Sequence, residues 1–581
     1  MNTINPIRAL ALTVMVMFFV SSCKGKDEVQ KPDAPVLSIT PSVNMIAFAE
    51  SGSTALVDGN SVDAPLTFTV ETNQGQWDIT QEPEASWVIL ARDENAGQFT
   101  LSAPPFSSDS PPDPVEITVR AGDAEPVVIA VTQNFNYPLK PPSHVVMNFR
   151  RDPKTQMAFN WLTDPGAFTG SVEIVQGTAT SHSAFATPYK TVHATADNIT
   201  DLRYSIFENR SYMIHKALAE DLTPATTYSY RVGYEGSWSE IGTFTTAAND
   251  VPAFTFLYTT DPQSTTSTEF QTAAATVTTA YNLFPDVKFL LTCGDLVNQR
   301  DAQGDVTMAW EWEQFFGTQQ DIFYKLPFAP VMGNHDAYMP NSFIYYFNLE
   351  PQPVTLPVTP IGKPGSVYSF VYGDVLFMGL NTENYNVTGY SAALGNWMRA
   401  EVNKPEHTHV KWRIAFFHRA LYTGGPYQGD AIDQLNRNAL APVFDELGID
   451  IALQGHNHVY NVIGSVYNKA LVPGSATQVT STTVSHPVNS NGKSGGVYST
   501  ANGTLYFANS ASGEKRYDPT NPLLSGYGVT DYPSLFTGRL GQPGSPAYSR
   551  VSVTHDEITI ATYTVASNNS VPFDEIKVKK P

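Results

Sequence analysis

Cysteine is nearly absent from this chain. The 581 residues include only Cys23 and Cys293, so no disulfide framework of the kind found in small secreted domains can form. If Cys23 is modified, no intramolecular disulfide is available at all. Cys293 ends an apolar run just before Gly294 and Asp295, and we expect it to be a small buried side chain rather than a reactive thiol.

Basic residues are also few. Lys and Arg number 34 against 55 Asp and Glu, which gives a net charge of −21. Sequence-independent binding to nucleic acid is therefore not expected, because it depends on clustered Lys and Arg. A polyanionic substrate would have to be held by metal ions or by a local basic patch. The hydrophobic content of 42% is that of packed globular domains, and the length predicts roughly three or four of them.

A long apolar segment is missing as well. The run Ala9–Val20 is too short to cross a bilayer, and the small residues that precede Cys23 suit signal cleavage. Residues 1–22 resemble a bacterial lipoprotein signal peptide, with Cys23 as the lipidated first residue. The resemblance implies an anchor in a bacterial membrane, with the protein facing the periplasm or the cell surface. The charged residues after Cys23 favour the outer membrane. Residues 23–36 are predicted to be a tether, and an ordinary secretory signal is the alternative.

Residues 37–135 contain short alternating apolar runs separated by Gly, Pro, Asn and Asp. This pattern predicts an immunoglobulin-like β-sandwich. The domain resembles the BACON family in the segments Val70–Asn73, Gln76–Thr80, Ser86–Val88 and Val131–Asn134. The resemblance implies that the module binds glycan, and a structural spacer is the alternative.

Residues 140–247 follow a Pro-rich joint and predict a second all-β sandwich. The segments that carry a resemblance are Met157–Trp161, Leu222–Arg231 and Trp238–Thr246. They resemble the fibronectin type III-like domain that precedes the catalytic domain of purple acid phosphatases. That resemblance implies a phosphatase domain next along the chain.

Strands alternate with helical patterns over residues 252–515, which indicates two packed sheets flanked by helices. The predicted helices are 267–283, 307–326, 392–403 and 436–447, and a hairpin pattern covers 366–381. Residues 516–581 are predicted to be a C-terminal loop and β extension.

Five polar stretches each follow an apolar run in this part of the chain. They are Asp261–Gln263, Gly294–Asp295, Gly333–Asp336, His418 and Gly455–His458. Carboxylate, amide and imidazole groups bind divalent metals, and the carboxyl ends of strands are where ligands bind in open α/β sheets. The pattern therefore predicts a dinuclear metal site.

The five stretches, in this order, resemble the motifs of the calcineurin-like metallophosphoesterase superfamily, and most of all those of purple acid phosphatases. The resemblance implies an αββα fold of two mixed β-sheets. It also implies that Asp261 and His458 hold one metal, that Asp295 bridges, and that Asn334, His418 and His456 hold the second. The implied ions are two divalent or trivalent metals, namely Zn, Mn or Fe.

The implied reaction is hydrolysis of a phosphorylated small molecule, as in acid phosphatases. Two metals about 3.5–4 Å apart acidify a bound water, and the resulting hydroxide attacks phosphorus. His335 is expected to protonate the leaving oxygen, with Asp336 beside it to orient or charge the ring, and a structural role for His335 is the alternative. The alternative functions are a phosphodiesterase, a nucleotide pyrophosphatase, or a non-catalytic glycan-binding surface lipoprotein.

Two positions depart from the family pattern. Gln263 stands where the superfamily has His, and Asn298 stands where purple acid phosphatases have a metal-binding Tyr. Gln263 offers a weaker oxygen donor, so the first metal site is expected to be looser or richer in oxygen. Arg419 and Tyr422 are equally well explained as substrate contacts and as packing residues.

Overall fold

The computed structural model describes most of the chain. The ranges described are 34–43, 45–48, 54–57, 60–93, 95–104, 115–133, 141–164, 170–205, 208–234, 236–298, 308–337, 342–351, 353, 355–357, 365–472, 496–519 and 539–580. The predicted signal peptide, Cys23 and most of the tether lie outside them. No helix within these ranges is both long and apolar enough to cross a membrane.

The first domain is built from two β-sheets that share one buried core. Its strands are β1 (Leu37–Thr40), β2 (Met45–Phe48), β3 (Thr54–Val57), β4 (Asn60–Asp63), β5 (Leu66–Thr72), β6 (Asp78–Glu82), β7 (Ile89–Asp93), β8 (Gln98–Ser102), β9 (Val115–Arg120) and β10 (Val127–Gln133). The sheet orders are β1-β5-β8-β7 and β4-β3-β2-β10-β9-β6. Leu66, Phe68 and Val70 alternate with more exposed residues, which is the pattern of a half-buried strand. The likeness to BACON modules stays a prediction.

The second domain also contains two β-sheets. Its strands are β11 (Ser143–Asn148), β12 (Met157–Thr163), β13 (Ser171–Gln176), β14 (Lys190–His193), β15 (Thr195–Ser205), β16 (Glu208–Ala219), β17 (Thr227–Tyr234), β18 (Ser237–Trp238) and β19 (Gly242–Thr245). They form the sheets β11-β12-β16-β15 and β14-β13-β17-β18, with β19 paired to β17. Trp161, Tyr228 and Tyr230, which belong to the segments that predicted this domain, are all fully buried.

Two mixed sheets form the centre of the third domain, as predicted. The first contains β20 (Ala253–Thr259), β21 (Leu290–Thr292), β22 (Phe328–Pro330), β29 (Gly496–Ser499), β32 (Ala547–Thr554), β33 (Glu557–Ala566) and β34 (Asn569–Lys579). The second contains β23 (Tyr368–Tyr372), β24 (Val375–Leu380), β25 (Trp412–Phe417), β26 (Ile451–Gln454), β27 (Tyr460–Tyr467), β28 (Ala470–Leu471), β30 (Thr504–Asn509) and β31 (Arg539–Gly541). One hydrophobic cluster holds residues of both sheets, including Phe256 and Phe377, whose ring centroids are 5.4 Å apart.

Helices flank the two sheets. They are α1 (Ser267–Leu283), α2 (Met308–Phe323), α3 (Ser342–Tyr346), α4 (Tyr390–Val402) and α5 (Ala431–Leu447), with short 3₁₀ helices at Pro405–His407 and Pro426–Gly429. A further 3₁₀ helix, His182–Ala186, belongs to the second domain. Helix α1 has the predicted bounds, and a capping box between Thr266 and Glu269 fixes its start. Helix α5 begins five residues before its predicted start at Asn436, because the Asp430 side chain accepts a hydrogen bond from the Ile432 amide.

The C-terminal strands are part of the first catalytic sheet. Strand β32 pairs along its length with β20, and β33 and β34 follow outward in the order β20-β32-β33-β34. The strands of the predicted C-terminal loop and β extension, residues 516–581, therefore complete the first sheet. The sequence pattern could not show this, because strand pairing between residues about 300 apart leaves no local signal.

The second domain packs against helix α2 of the catalytic domain. The Gln320 side chain donates to the Val145 carbonyl at 2.7 Å and accepts from the Val145 amide at 3.1 Å. His144 is buried against the rings of Phe316 and Tyr346. Buried hydrogen bonds between a side chain and the backbone, together with close packing of aromatic rings, fix the position of the two domains relative to each other.

Candidate metal centre

The site is built from strand ends that lie side by side. Strands β20, β21 and β22 are parallel neighbours, with Thr259 opposite Thr292 and Thr292 opposite Pro330. In the other sheet, β25 and β26 are parallel, with Phe417 opposite Gln454. The residues that follow these five strands are the five predicted polar stretches, so the two sheets bring them to one edge.

The structure gathers the six predicted ligands into two groups that share Asp295. Asp295, His418 and His456 form one group, and Asp261, Asp295 and His458 form the other, with ligand atoms within 4.8 Å of one another in each. Asn334 joins the first group through its Oδ1, which lies 3.0 Å from His418 Nε2. Asp295 therefore belongs to both groups, and its role as a bridging ligand stays a prediction.

Close approach of the loops explains two glycines. A Cβ on Gly333 would collide with the backbone nitrogen of Asp295, and a Cβ on Gly455 would lie 2.7 Å from the Cys293 carbonyl oxygen. Gly333 thus lets the loops after the neighbouring strands β21 and β22 approach each other within the first sheet. Gly455 lets the loop after β26 of the second sheet approach the strand ends of the first sheet.

Burial and neighbouring charges set the pKa values of two histidines in the site. Burial alone would lower the pKa of His418, but Asp295, whose Oδ2 is 3.2 Å from Nε2, raises that pKa to about 10. Burial, together with His418 and Arg419, lowers the pKa of His456 well below its usual value. His456 is thus the neutral imidazole that a metal requires, and a cation at Asp295 would displace the His418 proton.

His335 lies beside this centre and is oriented by backbone groups. Its amide donates to Asp295 Oδ1 at 2.8 Å, and its Nδ1 is 2.7 Å from the Asn298 carbonyl oxygen. Burial lowers the pKa of the ring, although Asp295 opposes this shift. Asn298 thus contributes its backbone, while its side chain stands where the related enzymes have tyrosine.

Asp336 holds the loops in place. Its carboxylate accepts hydrogen bonds from the amides of Leu296 at 2.9 Å, Val297 at 3.2 Å and Gly333 at 2.8 Å. The side chain is fully buried. Asp336 therefore positions the strand ends that carry Asp295 and His335, and the carbonyl that contacts His335 Nδ1 belongs to Asn298. The catalytic role of Asp336 stays a prediction.

The surroundings of the Gln263 side chain show whether the residues present can hold a metal ion. Its Nε2 lies 3.1 Å from Asp295 Oδ2 and 3.3 Å from His458 Nε2, and its buried Oε1 has no hydrogen-bond partner among the described residues. Amide nitrogen and oxygen are interchangeable by a half turn of the group. After that turn Oε1 faces the same carboxylate and imidazole, so the donor set of this group fits a cation.

Arg419 and Tyr422 have different surroundings. The Arg419 guanidinium contacts Glu383 at 2.9 Å and Asp433 at 3.4 Å, and its NH1 is 3.4 Å from His456 Nε2. Tyr422 is buried, with its ring 4.6 Å from that of Tyr506. Arg419 therefore borders the metal centre, and Tyr422 is a packing residue.

Three residues that the sequence motifs did not single out also border the centre. The Tyr427 ring stacks on His456 and the Tyr517 ring lies against His458, both with centroids 4.6 Å apart. Lys515 Nζ is 3.4 Å from His335 Nε2. They come from the loops after β25 and β30, and a Tyr or Lys in a loop carries no signal of its own in the sequence.

The comparisons with known proteins agree with this architecture. Residues 142–246 match the family model of the purple acid phosphatase N-terminal domain, and residues 254–460 match that of the calcineurin-like phosphoesterases. The chain thus combines these two domains, and its resemblance to purple acid phosphatases is confirmed.

Individual relatives are distant. Acid phosphatase type 7 of Danio rerio is 26% identical over 301 residues, which are 47% of this chain and 62% of that protein. Purple acid phosphatase 23 of Arabidopsis thaliana is 24% identical over 295 residues, 46% of this chain and 62% of that protein. This chain thus spans less than two thirds of either relative.

A solved structure shares the fold. The purple acid phosphatase PPD1 from yellow lupin (Lupinus luteus) seeds superposes with a TM-score of 0.55 at 14% identity. The superposition covers 94% of this chain and 96% of the lupin chain. The predicted metallophosphoesterase fold is therefore confirmed.

Proposed function

We propose that this protein is a metal-dependent hydrolase of phosphate esters, acting on phosphorylated small molecules in the manner of an acid phosphatase. The observation that carries the proposal is the convergence of Asp261, Asp295, His418, His456 and His458 into two groups that share one carboxylate. The match of this chain to the calcineurin-like phosphoesterase family model, and the names of two similar proteins, support the same reaction class.

The residues have distinct places in this reaction. Asp261 and His458, with Gln263, would hold one metal ion, and Asn334, His418 and His456 would hold the other, with Asp295 between them. When bound, two such ions supply an acidified water and positive charge for a phosphate. Zn, Mn and Fe all suit a donor set of carboxylate, amide and imidazole.

His335 is placed to act on the substrate rather than on a metal. Its Nδ1 is engaged by the Asn298 carbonyl, which leaves Nε2 directed away from that backbone and toward Lys515. An imidazole held in this way can pass a proton to a leaving oxygen through Nε2. The ring takes up a proton at Nε2 from solvent and then serves as the proton donor to the departing alcohol.

The assay that tests this proposal compares p-nitrophenyl phosphate with bis-p-nitrophenyl phosphate, each with added Zn²⁺, Mn²⁺ or Fe²⁺. We expect metal-dependent hydrolysis of the monoester. Faster hydrolysis of the diester would favour a phosphodiesterase. No hydrolysis of either ester, with no bound metal by elemental analysis, would favour the non-catalytic surface protein.

We further propose that the chain is anchored to a bacterial membrane, the outer membrane by preference, through a lipid on Cys23. The apolar run and the small residues before Cys23 support this. Labelling with a radioactive fatty acid should mark the wild-type protein, and equal labelling of Cys23→Ala would exclude this site.

Glycan binding by the first domain is proposed on its sequence likeness alone, and glycan-array binding by that domain tests it.

A further inference from the structure

Lys515 reaches the metal centre from outside the motif set. It follows β30 in a loop, and its Nζ is 3.4 Å from His335 Nε2. Its backbone carbonyl accepts a hydrogen bond from His458 Nδ1 at 2.9 Å. One residue thus touches both the proposed proton donor and a proposed metal ligand.

The donor and acceptor roles of the two His335 ring nitrogens define the contact with Lys515. A carbonyl oxygen only accepts, so the 2.7 Å contact with Asn298 places the His335 proton on Nδ1. The neutral ring then carries a lone pair on Nε2, which accepts from the Lys515 ammonium. An ammonium has three donors on a flexible stem, so the same group can also reach a substrate oxygen.

The charge balance of the protein makes this ammonium important. With a net charge of −21 and two carboxylates at the site, the positive charge that attracts a phosphate must come from the metal ions when bound and from cationic side chains nearby. Arg419 is paired with both Glu383 and Asp433. The acidic neighbour of Lys515, Glu514, is exposed and accepts a hydrogen bond from Thr272 at 2.7 Å.

Aromatic contacts hold the loop that carries Lys515. The Tyr517 ring lies against His458, and its hydroxyl is 3.3 Å from that of Tyr427. Lys515 Nζ is 5.8 Å from the Tyr517 ring centroid. The loop is therefore fixed to the metal centre by the two tyrosines, and the ammonium is held in place before substrate arrives.

We propose that Lys515 is a substrate-binding residue that, with His335, contacts the phosphate group of the bound ester. This inference rests on the proposed function and adds a residue beyond 254–460, the range that matches the calcineurin-like family model. The ammonium turns from His335 Nε2 toward a phosphate oxygen when substrate binds. His335 Nε2 is then free to face the leaving oxygen.

The test measures binding of inorganic phosphate to the metal-loaded protein by calorimetry. Lys515→Met should weaken phosphate binding about tenfold or more, because a charge-assisted hydrogen bond is lost. Lys515→Arg keeps the charge and should stay within about threefold of wild type. Lys288→Met is the matched control, since Lys288 is exposed at the opposite end of β21, and it should bind as wild type does.

Metal content, measured on every variant, should be unchanged, because the bond to His458 comes from the backbone of Lys515. With p-nitrophenyl phosphate, Lys515→Met should raise KM by the same factor as the phosphate Kd. Phosphate binding within twofold of wild type in Lys515→Met would overturn the inference while leaving the proposed function intact. Wild-type protein that binds phosphate without turning over any ester would overturn the proposed function alone, and wild-type protein that binds no phosphate would overturn the inference.

Discussion

Individual ligand residues have an unusual backbone conformation. Asp261, Asp295, His456 and His458 have φ values of 52°, 54°, 74° and 48°, in the left-handed region. Asp and His tolerate this region better than most residues, yet each such position costs on the order of 1–3 kcal/mol. The strand ends turn sharply at these positions, and the turns direct the side chains toward one another.

The side chain of Gln263 is predicted to bind a metal ion through its amide oxygen. Gln263→Leu removes the amide oxygen while keeping the approximate shape of the side chain. We expect the metal ion at the Asp261–Asp295–His458 group to bind about tenfold more weakly, which is a typical loss when a residue around a metal site is replaced. The affinity for the other metal ion should change little. Metal titration followed by calorimetry measures this. Two unchanged binding events would show that Gln263 is not a ligand.

The convergence of the candidate ligands was predictable from the sequence, because each follows an apolar strand in a short local motif. The contacts of Asp336 were not predictable in the same way. Its carboxylate accepts hydrogen bonds from three backbone amides of two loops, and proximity along a chain does not show which direction a buried side chain takes.

Strand order decides which loops reach the site. Strand β30 follows β27 in the chain but lies between β26 and β27 in the sheet. The loop after β30 therefore emerges beside the loop after β26, which carries His456 and His458. This insertion brings Lys515 and Tyr517 to the metal centre, and sequence reasoning missed them because no local pattern encodes it.

A pair of glycine substitutions tests the packing of these elements. Gly455→Ala would force Thr260, the Cys293 carbonyl and His418 apart, and we expect a loss of about 1–3 kcal/mol in unfolding free energy with weaker metal binding. Gly317→Ala is the control at an exposed position of helix α2, where a Cβ meets nothing within 4 Å. It should stabilise the protein by about 1 kcal/mol. Thermal melts with and without metal measure both, and a Gly455→Ala protein as stable as wild type would contradict the close approach.

At the scale of the whole molecule, the second domain and the catalytic domain form one packed unit. His144 on β11 is buried against Phe316 of α2, and Lys216 donates to the carbonyl oxygens of Ile344 and Phe347. The sequence predicted the two domains and their order. Their interface involves side chains that any β-sandwich could carry, so it was not predictable.

The interface should weaken in acid. Burial lowers the pKa of His144 from 6.5 to about 3, so the folded protein keeps this ring neutral while the unfolded chain takes up a proton below pH 6.5. The stabilising contribution is complete above pH 6.5 and is lost as the pH falls toward 3. Between pH 7 and pH 5 the loss is about 2 kcal/mol.

Melting temperature as a function of pH measures this effect. His144→Asn suits the left-handed backbone at this position, where φ is 54°, and removes the titrating group. We expect a smaller fall in melting temperature between pH 7 and pH 5 for the variant than for wild type. An equal fall in both proteins would exclude His144 as the cause.

The central claim is that one carboxylate, Asp295, joins two metal positions. The direct test is the number of metal ions bound per chain, measured by elemental analysis of wild type and Asp295→Asn after removal of excess metal. The account predicts two ions in wild type and the loss of at least one in the variant, since both groups contain Asp295. A wild-type protein that holds no more than one ion, or a variant that holds two, would contradict it.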